Sequence, residues 1–148
     1  MISRINVSVI LISITLCTFC GPNAGKDMPR AMKIKFKQYY VEGKRLYINH
    51  CSNCHQKNGS GLVRLYPPIN NPEYFGKDYK NTICIIRNGQ KGEVFINGIS
   101  FDQPMPENRD LTILEIAELM TYLNNRWSGQ DSRLFTTLEI SRVLENCP

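Results

Sequence analysis

The sequence predicts a mainly α fold: one small helical domain, interrupted by a single β-hairpin and closed by a short extra helix near the C-terminus. Three observations predict it. Thr112 and Glu115 have capping-box spacing, and they open a run with Ile113, Ile116, Leu119, Met120 and Leu123 on one apolar face. A second pair at the same spacing, Thr136 and Glu139, precedes Ile140, Val143 and Leu144. Between Val94-Phe95-Ile96 and Ile99-Ser100-Phe101 stands Asn97-Gly98, the dipeptide that best suits a two-residue hairpin turn. A length of 148 residues suits one domain with a leader to subtract.

Taken in order, the chain starts with Arg4 in a charged segment and continues with Val7–Phe19, an unbroken run of 13 residues dominated by Val, Ile and Leu. That is the pattern of a signal peptide, and it falls short of the roughly 20 residues needed to span a bilayer. Cys20 follows the apolar run directly, ahead of Gly21-Pro22-Asn23, as at a bacterial lipoprotein junction. Residues 1–20 are therefore expected to be an export leader, with Cys20 a candidate membrane anchor. Residues 21–37 read as a basic linker, and 38–127 as the folded domain. Residues 128–148 read as a C-terminal extension with the short helix.

Within the domain, a helix is expected from Gln38, with Tyr40, Val41, Leu46, Tyr47 and Ile48 supplying apolar groups. Gly43 lies inside it, where glycine costs roughly 1 kcal/mol relative to alanine. That cost suggests a neighbour whose backbone comes very close. Asn58-Gly59-Ser60-Gly61 is a loop, and Leu65-Tyr66-Pro67-Pro68-Ile69 runs extended because of its prolines. Asn70–Phe75 is a turn or a short helical piece. Lys77–Asn88 has Tyr79, Ile83 and Ile86 at helical spacing, with Gly89 placed for a C-terminal cap.

The formal charge of +5 is concentrated ahead of Cys51. Residues 21–50 hold seven Lys or Arg against two acids, whereas from Cys51 onward ten basic residues face eleven acidic ones. A basic arm of this kind could rest on anionic lipid, steer an acidic partner, or act as a solubilised tether. Nucleic-acid binding finds no support, since no recognition motif accompanies the charge.

Chemistry concentrates at Cys51-Ser52-Asn53-Cys54-His55. Two thiols three residues apart, followed at once by an imidazole, form the attachment pattern of c-type haem. Each cysteine can form a thioether to one porphyrin vinyl group, and the intervening turn delivers His55 to the iron. A structural zinc site would want a second closely spaced pair, and Cys84 and Cys147 sit far apart. A redox dithiol would follow a strand in a βαβ setting, whereas this motif ends a helical run. Haem of this type is attached on the far side of the membrane, which agrees with the leader.

A His-ligated iron needs a second axial partner or an open position. Met28 and Met32 lie in the linker, and Met120 falls on an apolar helix stripe, where packing is the ordinary role of methionine. Met105 stands between Pro104 and Pro106, ahead of the strongest helix, a suitable place to present a thioether. His50 is tied to the same side as Cys51 and reads as a surface imidazole.

The chain resembles the class I monohaem cytochromes c, from about Gln38 to Trp127. The residues that carry the resemblance are Gly43 and Tyr47, the Cys51–His55 motif, the glycine-rich loop, Tyr66-Pro67-Pro68-Ile69, Met105-Pro106, and Leu119 with Tyr122. It implies a cytochrome c fold whose first and last helices cross around one covalent haem c, Gly43 and Tyr47 meeting Leu119 and Tyr122. It implies haem held through Cys51 and Cys54, iron ligated by His55 and Met105, and the Pro67 carbonyl accepting the Nδ1 hydrogen of His55. The 92–101 hairpin and the 128–148 tail exceed the minimal family core. Cys84 and Cys147 are not family ligands, and in an oxidising compartment they could bridge.

By the same resemblance the protein is an electron carrier and not an enzyme, exported to the periplasm or the outer face of a membrane. Its redox partners would be a dehydrogenase or quinol-oxidising complex upstream and an oxidase or reductase downstream. Two other readings stay open at this stage. One is a haem-bearing subunit through which electrons enter a larger redox enzyme. The other is a haem enzyme or gas sensor whose sixth ligand is labile, with Met105 a bystander.

Overall fold

The computed structural model describes residues 28–76, 78–129 and 133–148. The leader and Cys20 lie outside them. The first helix, α1, spans Arg30–His50 and buries Tyr39, Gly43, Leu46 and Tyr47 along one side. It begins eight residues before the expected Gln38, so the second half of the segment read as a linker is helical. Packing explains the difference. Once Tyr39–Tyr47 is pinned, the helix nucleus exists, and each further residue adds one hydrogen bond at little cost. The preceding Ala, Met, Lys and Arg residues are strong helix formers. Of the apolar groups that the sequence offers in this helix, Val41 and Ile48 are exposed on the far side of α1.

The partner of α1 is α5, Ile113–Trp127, whose buried face comprises Ile116, Leu119, Met120 and Leu123 among others. Ile113 is the exception: it sits in the exposed first turn. The two helices meet at backbone distance. A Cβ added to Gly43 would lie 2.0 Å from the Glu118 carbonyl oxygen and 2.8 Å from the Tyr122 Cβ, which is why a helix-interior glycine stands there. Aromatic rings seal the contact, Tyr47 edge-on to Trp127 at 5.2 Å and Tyr40 edge-on to Tyr122 at 5.2 Å between centroids. The Thr112–Glu115 capping box is complete in both directions.

Short elements follow α1 along the chain before α5: α2 at Ser52–His55, α3 at Pro72–Gly76 and α4 at Tyr79–Asn88. Ile83 and Ile86 are buried, as their spacing predicts, and Gly89 caps α4 with its N–H donating to Ile85 O at 2.8 Å. The hairpin pairs β1, Val94–Ile96, with β2, Ile99–Phe101, in antiparallel register. Asn97 and Gly98, at φ 53° and 75°, make its turn.

The C-terminal segment is built into the body. Phe135 is fully buried and donates its N–H to Thr121 Oγ1 at 3.1 Å. The last helix, α6 at Thr137–Leu144, packs on α4 and α5 through Ile140 and Val143. Thr136 accepts from the Glu139 N–H, but the Glu139 carboxylate turns to Arg133 at 2.9 Å. Cys84 and Cys147 form a disulfide that ties α4 to the residues beyond α6. No helix among the described residues is long and apolar enough to cross a membrane.

Candidate functional site

The end of α1 shapes the Cys51–His55 turn. The Cys51 N–H donates to Tyr47 O at 2.9 Å as the last bond of the helix, and Cys51 O then accepts from His55 N at 2.9 Å to start α2. Ser52 Oγ donates to Ile48 O at 2.8 Å, and Tyr47 OH donates to Gln56 O at 2.5 Å. The chain therefore turns sharply without leaving its buried polar groups unpaired. The turn brings Cys51, Cys54 and His55 onto the wall of one cavity of about 440 Å³. Pro67 and Met105 line the same cavity, as do the inward-facing hairpin residues Val94, Ile96 and Phe101. His50 does not line it and is exposed at the end of α1.

His55 is held by its backbone surroundings. Its Nδ1 lies 3.1 Å from the Pro67 carbonyl oxygen. A carbonyl can only accept, so Nδ1 carries the hydrogen and Nε2 keeps its lone pair for a metal. Burial pushes the His55 pKa down, with the Pro67 bond acting in the opposite direction. The ring is thus a neutral imidazole, the form that ligates iron. Pro67 is fixed in turn by the glycine-rich loop, since Gly59 O accepts from Ile69 N at 2.8 Å and from Asn70 N at 3.1 Å.

Cys51 and Cys54 are the two free cysteines of the described residues. Burial, and then the neighbouring Cys54, push the Cys51 thiol up to about 12. A structural zinc site would want a second pair of ligands beside these two, and Cys84 and Cys147 are bonded to each other instead. No group of three or more His, Cys, Asp or Glu among the described residues could hold a metal ion either. The donor set suits a flat apolar prosthetic group instead. It offers two thiols on one turn, a neutral imidazole beside them and a thioether in the same mostly apolar cavity.

Met105 is placed by contacts that the sequence did not reveal. Its N–H donates to Gln90 O at 2.9 Å and its carbonyl accepts from Gln90 N at 3.0 Å. Gly89, read from the sequence only as a helix cap, comes so close that an added Cβ would lie 2.5 Å from Met105 O. Asn108 Nδ2 donates to Ile86 O at 3.2 Å, fastening the following residues to α4 as well. The loop between two prolines is therefore clamped to the end of α4. Phe101, Ile85 and Leu123 also line the cavity without having been singled out, because an apolar residue facing a cofactor looks in sequence like any other core residue.

Comparison with known proteins agrees with this geometry. The family model for cytochrome c matches residues 40–127. Among curated relatives, cytochrome c-552 of Thermus thermophilus is 25% identical over 113 residues, covering 70% of this chain and 84% of its own. The cytochrome c subunit of an alcohol dehydrogenase (quinone) from Gluconacetobacter polyoxogenes is 20% identical over 112 residues. The match covers 70% of this chain and 22% of the subunit.

Proposed function

The chain belongs to the cytochrome c family, whose members carry covalently bound haem c and transfer electrons, and from that premise we propose a single-electron carrier working on the outer side of a membrane. Cys51 and Cys54 hold the haem, and His55 and Met105 ligate its iron. When bound, haem c supplies the redox chemistry, its iron taking up and releasing one electron. The observation that carries the reading is the meeting of Cys51, Cys54, His55 and Met105 in one largely apolar cavity, although Met105 lies 50 residues beyond His55.

The protein's own residues do the rest. The Pro67 carbonyl keeps the His55 tautomer fixed and makes the imidazole a better donor. The Gln90 and Gly89 backbone holds Met105 in place, so little would need to move between oxidation states. The soft thioether favours the ferrous form and raises the potential. Val94, Ile96 and Phe101 exclude water, and no side chain in the cavity is assigned to bond making on a substrate.

A second reading rests on one specific observation. The relative from Gluconacetobacter is a subunit of a quinone-dependent dehydrogenase, so this chain could accept electrons as a fixed part of a larger enzyme. Size-exclusion chromatography of the native membrane extract separates the two, since a free carrier elutes alone.

The ligand assignment is tested by Met105→Ala. The ferrous wild type should ignore carbon monoxide, whereas the variant should bind it, lose the far-red ferric band and have a lower potential. A Met105→Ala protein with an unaltered band and potential would show that another group holds the iron. Should the wild type bind carbon monoxide, the gas-sensor reading gains.

A further inference from the structure

The solvent face of α1 carries a pattern that neither the haem cavity nor the helical core uses. Arg30, Ile34, Lys37, Val41, Lys44 and Ile48 follow one another at intervals of four, three, four, three and four residues. They therefore form one row along the helix, about 27 Å long at 1.5 Å per residue, in which basic and apolar side chains alternate. Ile34 is 51%, Val41 62% and Ile48 40% exposed, and Arg30, Lys37 and Lys44 are exposed too. The buried residues of the same helix, Tyr39, Gly43, Leu46 and Tyr47, lie on the other side against α5.

We propose that this row is a membrane-contact face that seats α1 on anionic lipid headgroups. Helices that lie in the interface sink apolar side chains to the acyl boundary while Lys and Arg reach back to the phosphates. Alternation at intervals of three and four puts a cation within reach of every aliphatic residue in the row. Charge complementarity points the same way, because residues 21–50 hold seven basic residues against two acidic ones. The acid on α1, Glu42, is engaged by Arg45 at 2.7 Å, and Glu115 and Glu118 of α5 lie near enough to Arg45 to act on its charge.

The chain upstream supports a lipid occupant over a protein one. Val7–Phe19 is apolar, and Cys20 stands ten residues before Arg30. Ten residues reach at most about 35 Å, so any attachment at Cys20 keeps the start of α1 beside the bilayer. A second copy is a poor occupant, because two such rows facing each other bring Lys37 and Lys44 against like charges. None of the six residues lines the haem cavity, so a lipid-seated α1 leaves that cavity to redox partners.

The test uses the full, haem-loaded chain with vesicles of phosphatidylcholine, alone or with phosphatidylglycerol. Lysine acylation is then read residue by residue by mass spectrometry. Lys37 and Lys44 should be protected several-fold by the anionic vesicles and little by the neutral ones, with Lys57, Lys80 and Lys91 unchanged. Added salt should reverse the protection. Val41→Glu should reduce it to the neutral-vesicle level at an unchanged haem spectrum, and Val41→Ser, a milder change, should weaken it in the same direction. Equal reactivity on both vesicle types overturns the proposal. So does protection that survives in Val41→Glu, or that appears without lipid and grows with protein concentration.

Discussion

Gln90 and Met105 exchange both of their backbone hydrogen bonds, at 3.0 and 2.9 Å, across fourteen residues of intervening chain. The bridge joins the end of α4 to the loop that carries the proposed sulfur ligand. It converts a proline-flanked loop into a fixed arm without any extended sheet. Gly89 makes the approach possible: an added Cβ would meet Met105 O at 2.5 Å and Glu107 N at 2.8 Å, and its φ of 74° disfavours other residues.

Gly89→Ala should therefore act on the ligand loop rather than on haem attachment. The backbone penalty is about 1–2 kcal/mol, and the overlap is with main chain, which cannot swing aside. The expected variant keeps its covalent haem, unfolds at lower denaturant and shows a weakened far-red ferric band with new carbon monoxide binding. A variant with an unchanged band would show that the Gln90 bridge does not hold the sulfur.

At Gly43 two effects compete. Alanine gains about 1 kcal/mol over glycine in an open helix interior. Overpacking a close contact costs about 1–3 kcal/mol, more where nothing can yield. The neighbour is the Glu118 carbonyl at 2.0 Å from an added Cβ, part of the α5 backbone, so the cost wins. Gly43→Ala should lower the denaturant midpoint clearly, with an unchanged slope. A more stable variant would mean that α1 and α5 do not touch at this point.

What could be read from the sequence, and what could not, follows from the range of the interactions. The Thr112–Glu115 box, the Asn97-Gly98 turn and the Cys51–His55 turn are local, each written within a few residues. Gly43 also announced its contact, because a helix-interior glycine has a cost that only a close neighbour offsets. The Gln90–Met105 bridge left no local mark, since any residue but proline offers the same backbone groups. The start of α1 was missed because Arg30–Lys37 has no apolar period; its helicity comes from the packed turns that follow it. Which apolar groups of α1 face the core was not legible either: Val41 and Ile48 sit with Ile34 on the opposite side of the helix from Tyr39 and Leu46.

The capping box makes stability depend on pH. The Thr112 backbone N–H and its hydroxyl each lie 2.8 Å from a Glu115 carboxylate oxygen. These bonds, with weaker help from nearby His50 and Arg45, hold the Glu115 pKa below the usual carboxylate range. A depressed folded-state pKa means that the ionised carboxylate favours the folded chain. Its contribution is complete above the ordinary carboxylate pKa and is lost as pH falls through the depressed value. Glu115→Gln should then cost roughly 0.3–1 kcal/mol at neutral pH, and the two unfolding curves should converge on acidification. A gap that stays constant down to strongly acidic pH would count against the ionic part of the cap.

The disulfide should matter to the tail and not to the haem wall. Cys84 sits on α4 and Cys147 lies beyond α6, separated by 63 residues with a Cα–Cα distance of 5.5 Å. Closing so long a loop stabilises a fold by about 2–4 kcal/mol, chiefly by restricting the unfolded chain. Phe135, Ile140 and Val143 are buried and α6 packs on both α4 and α5, so apolar contact should hold α6 in place when the bridge is removed. Replacing both cysteines with alanine should thus lower the unfolding midpoint while leaving the visible spectrum and the potential unchanged. If the paired substitution shifts the potential, the bridge is setting the position of Asn81, Thr82, Ile85 and Ile86, the α4 residues that line the cavity, and α4 is less rigid than its packing implies.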